Sequence, residues 1–369
     1  MTVRKISAQY LFTSAGKPLR RGIVTVAGDG TVTGVEDTGG SLRESASTEF
    51  YNGVVIPGFV NCHSHLELSH MRGLIPAGGG LSDFIVSVRN RREASDDEIM
   101  AAAGKADIEM HSGGVVACGD ISNSPVTAGI KSKSPIRYIT FAELFGLDPA
   151  VAEVRMQGAL EVCREMRRRS LQAYVTPHSL YSLSLPLAQL IRKHIPTDSI
   201  ISLHFLESDD ERRMAKGHAD AALDLSGLAS RLLLVHNTVI TRDEAVKTAS
   251  AGNTWFCLCP SSNIHISGKM PPAAMLREVT RRIAVGTDSL ASTDRLSMIR
   301  ELLLLQEAVP GITAEELIRC GTINGAMALK CDDTLGSIEP GKRPGLLLVE
   351  PFDLQNMRLL PESRVRRLV

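Results

Sequence analysis

The amino-acid sequence predicts an α/β protein, a (β/α)₈ barrel flanked by β-rich segments at both termini. Two observations predict it. In the middle of the chain, eight apolar runs of strand length alternate with amphipathic runs of helix length. At both ends, short strands separated by turn residues replace this alternation. We therefore expect residues 55–334 to form the barrel and residues 1–54 and 335–369 to form strands joined by turns.

The terminal segments show the sequence pattern of strands joined by tight turns. Residues 23–26 alternate in polarity and are followed by Gly28-Asp29-Gly30 and a second run at residues 31–35, which predicts a β-hairpin. Near the other end, a stretch rich in turn-forming residues, 335–345, leads into an apolar run at residues 346–349. Two β-rich ends therefore flank a different middle.

The middle of the chain predicts parallel βα units in chain order. The expected strands cover residues 54–61, 114–121, 136–142, 173–176, 199–205, 232–236, 254–258 and 283–287. The expected helices cover residues 96–110, 149–168, 185–193, 209–224, 242–251 and 273–282. An open doubly wound sheet is the alternative, but no Gly-x-Gly-x-x-Gly turn follows the first strand. The glycines at 78–80 instead indicate a flexible loop.

Composition narrows the class of ligand. Forty-one basic residues balance 41 acidic ones, so the formal net charge of 0 provides no field for a nucleic acid. Seven scattered cysteines do not form a disulfide framework, and we expect a cytoplasmic location. The sequence shows neither an export signal nor an apolar run of membrane-spanning length. We therefore expect a small-molecule substrate and no nucleic-acid or membrane partner, and the sequence leaves a homodimer open.

Polar residues that follow the apolar runs are the candidates for chemistry, because a barrel places its active site at the carboxyl ends of its strands. His63 and His65 stand two apart on a strand, so both imidazoles share one face and could bind one metal ion. His204 and Asp288 end apolar runs in which an ionisable group is costly without a partner or a cation. Three imidazoles and a carboxylate suit zinc, with iron(II) as the second choice. The alternative for each histidine is a buried ring held by hydrogen bonds.

Three further residues are candidates for roles beside the metal. Glu207 lies three residues after His204, where it could act as a general acid and base, although it could equally be an ordinary acid at a helix start. His236 could shuttle a proton or hold the attacking water, or it could be a core histidine. His178 is expected to contact substrate rather than metal, with a structural role in its loop as the alternative. The other polar residues at strand ends are Asp120, Glu143 and Cys259.

The order of these motifs resembles the amidohydrolase superfamily, in its mononuclear, cytosine-deaminase-like branch. The matching strings are PGFVNCHSH at residues 57–65, HFLE at 204–207, His236 and GTDS at 286–289. The resemblance implies that the metal ligands are His63, His65, His204 and Asp288. It further implies that Glu207 carries the proton, that His236 assists at the water, and that the two terminal segments, residues 1–54 and 335–369, together form a small β-sandwich domain. Beside the metal, Asp288 could also accept the proton of the attacking water. Residues 172–176 offer no lysine that could bridge a second ion, so one metal is expected.

Two shorter strings narrow the resemblance. HLELS at residues 65–69 and GTDSLAS at 286–292 are similar to the aminodeoxyfutalosine deaminases of the futalosine route to menaquinone. This similarity implies that the substrate is a 6-aminopurine nucleoside bearing an aryl carboxylate, which loses ammonia. A substrate-binding carboxylate is implied after the first motif, with Glu67 and, further along, Asp83 as candidates.

Several other functions remain open at this point. Deaminases of adenosine, S-adenosylhomocysteine, cytosine or guanine would share every ligand, and so would an imidazolonepropionase or a chlorohydrolase. A non-catalytic barrel scaffold is the alternative of a different class, but such proteins usually lose a ligand or the acid. In this sequence, the four implied ligands and the acid Glu207 are all present.

Overall fold

The barrel strands form two parallel four-stranded sheets, ordered β6-β7-β8-β9 and β10-β11-β12-β13. The computed structural model describes residues 3–41 and 47–369, so residues 1–2 and 42–46 of the predicted first segment lie outside the described residues. All eight expected strands are present, although several of their ends differ from the expected ones by a few residues. They are β6 (Phe59–Ser64), β7 (Val115–Ser122), β8 (Arg137–Leu144), β9 (Gln172–Pro177), β10 (Ile200–Phe205), β11 (Arg231–His236), β12 (Thr254–Leu258) and β13 (Ile283–Val285).

Hydrogen bonds join the two sheets at both seams. Between β9 and β10, the backbone N–H of His204 donates to the carbonyl oxygen of His178 at 2.9 Å. Between β13 and β6, a parallel bridge pairs Ser64 with Asp288, and the N–H of Asp288 donates to the carbonyl oxygen of His63 at 2.9 Å. The two half-barrels therefore meet at residues that the sequence predicts to be functional.

Strands from both termini form one seven-stranded sheet, ordered β15-β14-β5-β1-β3-β4, with β2 paired to β1. This confirms a small β domain built from both ends. Its strands are β1 (Arg4–Leu11), β2 (Leu19–Arg20), β3 (Ile23–Val26), β4 (Val32–Glu36), β5 (Thr48–Pro57), β14 (Leu346–Asp353) and β15 (Arg358–Arg367).

The β domain leads into the barrel at Gly58, close to the expected boundary, which stays a prediction. A Cβ on Gly58 would lie 2.6 Å from the carbonyl oxygen of Pro344, so only glycine fits where β5 passes into β6. On the other side, the side-chain amide of Gln306 exchanges two hydrogen bonds of 2.9 Å with the backbone of Leu359 in β15. These contacts fasten the sheet to the barrel.

Helices fill the connections between the barrel strands. They are α1 (Gly80–Arg91), α2 (Asp96–Ser112), α3 (Ala128–Lys131), α4 (Ala152–Arg168), α5 (Leu185–His194), α6 (Asp209–Met214), α7 (His218–Ser226), α8 (Arg242–Ala249), α9 (Pro260–Ser267), α10 (Ala273–Val279), α11 (Met298–Ala308), α12 (Ala314–Gly321) and α13 (Ile323–Ala328). The expectation of one helix at 209–224 was wrong, because the backbone is extended at Ala215 after α6 and Gly217, with a φ of 70°, precedes α7. The expected loop at 78–80 ends in a helix, since Gly80 begins α1.

The barrel interior is filled with apolar side chains below the strand ends. Val60, Phe141, Val235 and Trp255 belong to one buried cluster there. All seven cysteines are buried and free, as a protein without disulfides requires. Within the described ranges, no helix is both long and apolar enough to cross a membrane.

Candidate active site

The carboxyl ends of strands from both half-barrels bring the predicted metal ligands together. His63 lies in β6 and His65 follows it closely, while His204 lies in β10. Asp288 follows β13 with a φ of 57°, a left-handed backbone that is unusual for a residue with a side chain. His236, at the end of β11, also has a positive φ, of 73°. Such backbone strain tends to accumulate at functional sites, where the surrounding structure enforces it.

The side chains of the four predicted ligands converge on one point. The Nε2 atom of His65 lies 3.1 Å from the Nε2 of His63 and 3.4 Å from the Nε2 of His204. The Oδ1 atom of Asp288 lies 3.5 Å from the Nε2 of His63 and 3.3 Å from the Nε2 of His65. The site therefore contains three convergent ring nitrogens and one carboxylate oxygen.

This donor set fits a divalent cation. Burial lowers the pKa of His65 to about 3, against the opposing charge of Asp288, and lowers the pKa of His204 well below its ordinary value. Both imidazoles are thus neutral at physiological pH, as metal ligands must be. Burial disfavours the charge on Asp288, but its hydrogen bond to His63 and the neighbouring histidines outweigh it and lower the pKa of Asp288 well below its usual range. Neutral nitrogens around a carboxylate are the donors of zinc sites that keep an open position.

Outer hydrogen bonds orient the ligands. The Nδ1 of His204 lies 2.9 Å from the carbonyl oxygen of His178. The Oδ2 of Asp288 accepts hydrogen bonds from the hydroxyls of Ser262 at 2.6 Å and Ser292 at 2.7 Å. Asp288 therefore keeps Oδ1 for the metal site, which is the usual arrangement for a ligating carboxylate.

Sequence reasoning missed the residues that supply these outer contacts. Ser262 and Asn263 lie in the first turn of α9, and the Asn263 amide lies 3.2 Å from the Nδ1 of His236. Only Ser292 carried a signal, because it closes the GTDSLAS string. Cys259 directly follows β12, as expected, and lies buried and free just before α9.

Glu207 lies where a proton carrier is needed. Its side chain is buried, and its Oε1 lies 3.6 Å from the Nε2 of His236. Burial raises the pKa of Glu207 well above its ordinary value, and the negative charges of Asp288 and Glu211 add to the effect. Burial also lowers the pKa of His236 to about 4. The structure thus pairs a carboxyl group whose burial favours the protonated form with a neutral imidazole, beside the predicted ligands.

His178 forms part of the wall next to the metal ligands. Its ring centroid lies 4.6 Å from that of His204 and 5.9 Å from that of Tyr181. Its Nδ1 lies 2.9 Å from the hydroxyl of Ser179. A contact between His178 and substrate stays a prediction, and the structure adds a second role, since the carbonyl oxygen of His178 orients His204.

Glu67 lies at the edge of the site with its carboxylate already engaged by protein. Its Oε2 accepts from the backbone N–H of Asn123 at 3.0 Å and of Ser124 at 3.3 Å, and its Oε1 accepts from Arg92 at 3.3 Å. Asn123 continues the network to Glu143 at 3.0 Å. A direct contact between Glu67 and substrate stays a prediction, and Arg92, which the sequence did not single out, joins this edge.

Comparisons with known proteins agree with this geometry. The family model described as Amidohydrolase family matches residues 54–365. An adenosine deaminase of Helicobacter pylori is 26% identical over 327 residues, covering 80% of this chain and 79% of that protein. A 5-methylthioadenosine/S-adenosylhomocysteine deaminase of Haloarcula marismortui is 26% identical over 372 residues, covering 92% of this chain and 84% of that protein.

Solved structures share the fold. A crystal structure of Helicobacter pylori aminofutalosine deaminase in complex with methylthio-coformycin has a TM-score of 0.78 at 23% identity, covering 95% of this chain and 93% of that one. An adenosine deaminase from Xanthomonas campestris with bound zinc has a TM-score of 0.75 at 22% identity, covering 94% of this chain and 84% of that one. These results confirm the predicted fold and the resemblance. The chain belongs to the amidohydrolase family and is a hydrolase that acts on C–N bonds.

Proposed function

We propose that the protein is a metal-dependent deaminase that hydrolyses the exocyclic C–N bond of a 6-aminopurine nucleoside and releases ammonia. The observation that carries the proposal is the buried carboxyl of Glu207, whose pKa burial raises, beside the convergent side chains of His63, His65, His204 and Asp288. A ring nitrogen must be protonated before water can add to the adjacent carbon of an aminopurine, and Glu207 is the acid that can do this. The two deaminases at 26% identity support a purine nucleoside as substrate.

The residues of the site account for every proton. When bound by His63, His65, His204 and Asp288, a divalent ion supplies the activation of water at neutral pH. The carboxylate of Asp288 receives one proton of the attacking water and passes it to the amino group, which leaves as ammonia. Glu207 gives its proton to the ring nitrogen and is restored by the second proton of the water. The product is the 6-oxo nucleoside.

For the finer identity of the substrate, we propose 6-amino-6-deoxyfutalosine and a role in menaquinone biosynthesis in the cytoplasm. The strings at residues 65–69 and 286–292 support this substrate, and so does the fold shared with the Helicobacter pylori aminofutalosine deaminase. We propose one zinc ion per chain, since a zinc-bound neighbour shares the fold. His178 and Glu67 are the proposed substrate contacts. A homodimer stays a prediction.

A substrate panel tests the proposal. Zinc-loaded and iron(II)-loaded protein is assayed for ammonia release and for the absorbance change of a 6-aminopurine becoming a 6-oxopurine. We expect turnover of 6-aminopurine nucleosides, highest for 6-amino-6-deoxyfutalosine, and little turnover of adenine, cytosine, guanine or chlorinated triazines. Truncated substrates forfeit the remote binding energy that positions the reacting carbon.

The panel also separates the alternatives. Efficient turnover of cytosine or guanine with inert nucleosides would contradict the nucleoside proposal and would favour a free-base deaminase. Turnover of a triazine with release of chloride instead of ammonia would favour a chlorohydrolase. Protein carrying Glu207→Gln is the control for background hydrolysis in every assay.

A further inference from the structure

The backbone that carries Glu207 leaves β10 through a strained turn. Leu206 is fully buried and adopts a φ of 49°, a left-handed conformation that costs energy for a residue with a branched side chain. Its carbonyl oxygen accepts from the N–H of Val239 at 2.9 Å. The N–H groups of Leu206 and Glu207 lie inside the protein, so they need acceptors there.

A single carboxylate serves both of these N–H groups. The Oε2 of Glu211 accepts from the N–H of Glu207 at 2.8 Å, and the same carboxylate is hydrogen-bonded by the N–H of Leu206. Glu211 is fully buried in α6, whose start is capped by the hydroxyl of Ser208. Within the described chain, its Oε1 has no hydrogen-bond partner and lies 3.8 Å from the Nε2 of His218. The principal contacts of this carboxylate are therefore with the turn.

We propose that Glu211 is a positioning residue, which holds the Leu206–Glu207 turn in its strained conformation and so aims the Glu207 carboxyl at the substrate. The inference rests on the proposed function, in which Glu207 carries the proton. Burial raises the pKa of Glu211 to about 7, and the N–H groups of Glu207 and Leu206 oppose this shift, so the hydrogen bonds of the turn favour the charged form of a carboxyl that is otherwise costly to bury. If the turn relaxed, the carboxyl of Glu207 would move away from the Nε2 of His236, which is now 3.6 Å distant.

Two variants of nearly equal side-chain shape test this role. Glu211→Gln retains a neutral acceptor, whereas Glu211→Met fills the space without one. We expect kcat to fall in the order wild type, Gln, Met, by about tenfold or more for Met, because a misplaced acid loses part of the usual 10²- to 10⁴-fold contribution. KM and metal content should stay near the wild-type values. Asp209→Asn is the matched control, since Asp209 lies on the same helix but is exposed and paired with Lys269.

The deciding measurement is a double-mutant cycle with Glu207→Gln. If Glu211 acts through Glu207, the Met substitution should add little to the loss that Glu207→Gln already causes. A Met penalty that persists in full in that background, or a Met variant with wild-type kcat, would overturn the inference. If the Met protein does not fold, the Gln substitution is placed in the same cycle, and a loss that vanishes beside Glu207→Gln supports the inference while an undiminished loss overturns it.

Hydrogen exchange separates this inference from the proposed function. The amides of Leu206 and Glu207 should exchange faster in the Met variant than in wild type, and unchanged exchange would overturn the positioning role whatever the substrate is. If wild-type protein deaminates no nucleoside, the proposed function fails and the catalytic part of the inference fails with it. If it deaminates nucleosides and the two substitutions act independently, only the inference fails.

Discussion

Glu207 and Asp288 are both buried at the mouth of the barrel, yet their pKa values are shifted in opposite directions. Among residues 3–41 and 47–369, no cation offsets the burial of Glu207, so burial raises its pKa. Asp288 bonds to His63 and faces further histidines, which lower its pKa. Two carboxyl groups whose environments separate their pKa values are suited to separate roles, one as acid and one as base. Their different surroundings, rather than their residue type, assign the roles.

Glu207→Gln should retain the metal and lose most of the activity. The amide keeps the shape of the side chain but cannot carry a proton, and general acid–base groups typically contribute about 10²- to 10⁴-fold to the rate. The measurement is kcat with the best nucleoside, alongside metal content. Turnover close to wild type at neutral pH would show that Glu207 is only an acid at a helix start.

Replacement of His63, His65 or His204 by alanine should empty the metal site. Each imidazole supplies one of the convergent nitrogens, and without it too few donors remain to hold a divalent ion tightly. Elemental analysis after dialysis checks this expectation. His194→Ala is the control, because His194 ends α5 away from the site. Full occupancy in a triple-alanine protein would refute the ligand assignment.

At the scale of elements, the first turn of α9 serves two functional side chains. Ser262 bonds to Asp288, and the neighbouring Asn263 contacts His236. Glu301, on α11, accepts a hydrogen bond from the N–H of Ser261 at 2.9 Å and so holds the start of α9. A helix start offers unpaired N–H groups, so the carboxyl group of Glu301 finds a donor there that partly offsets its burial. The packing of α11 on α9 therefore supports the site.

Glu301 should make stability depend on pH. Burial raises its pKa to about 7, although its contacts with Ser261 oppose this. The folded state therefore binds more protons than the unfolded state between about pH 4.5 and 7, so stability falls as pH rises through that range. Above pH 7 the ionised carboxylate costs up to about 3 kcal/mol, because a pKa that differs by one between the folded and unfolded states corresponds to about 1.36 kcal/mol.

Glu301→Gln should remove this dependence. The difference in free energy of unfolding, variant minus wild type, should therefore be larger at pH 8 than at pH 5. Urea unfolding of both metal-loaded proteins at the two pH values measures the difference. If the free energy of unfolding changes equally in the two proteins between pH 5 and pH 8, the raised pKa of Glu301 is contradicted.

At the scale of the whole molecule, the metal ligands come from both half-barrels. His63 and His65 belong to the sheet that contains β6, whereas His204 and Asp288 belong to the sheet that begins with β10. The backbone bonds at the two seams involve the same residues, since His204 and Asp288 donate across them. A bound ion would thus tie together the two halves of the fold.

Removal of the metal should lower the melting temperature of the protein, and adding back about one equivalent per chain should restore it. Binding to the folded state alone stabilises it by about 4 kcal/mol when the free ion is at about 1,000 times its dissociation constant. Thermal unfolding with and without a chelator, together with elemental analysis, measures both quantities. Two ions per chain at full occupancy, or an unchanged melting temperature, would contradict a single site at the seam.

Local sequence pattern was sufficient to predict the barrel strands, because they are continuous apolar runs. The predicted metal ligands either lie two residues apart on one strand or end such a run, and their role stays a prediction. Residues 209–224 show where this approach failed, because the backbone is extended at Ala215 after α6 and left-handed at Gly217 before α7, which the side-chain pattern does not reveal.

The sequence by itself determined the fold class, because the alternation of apolar and amphipathic runs depends on residue types at short spacing, and its motifs carried the resemblance to the family. The four metal ligands that this resemblance implies stay a prediction. Only the tertiary structure showed which residues support the site, namely Ser262 on Asp288, Asn263 on His236 and Glu211 under Glu207. Ser262 and Asn263 reach partners on other elements, far away along the chain, and no local pattern encodes how those elements pack. The raised pKa of Glu207 was likewise decided by tertiary structure, because burial and neighbouring charge set a pKa and neither can be read from the residue alone.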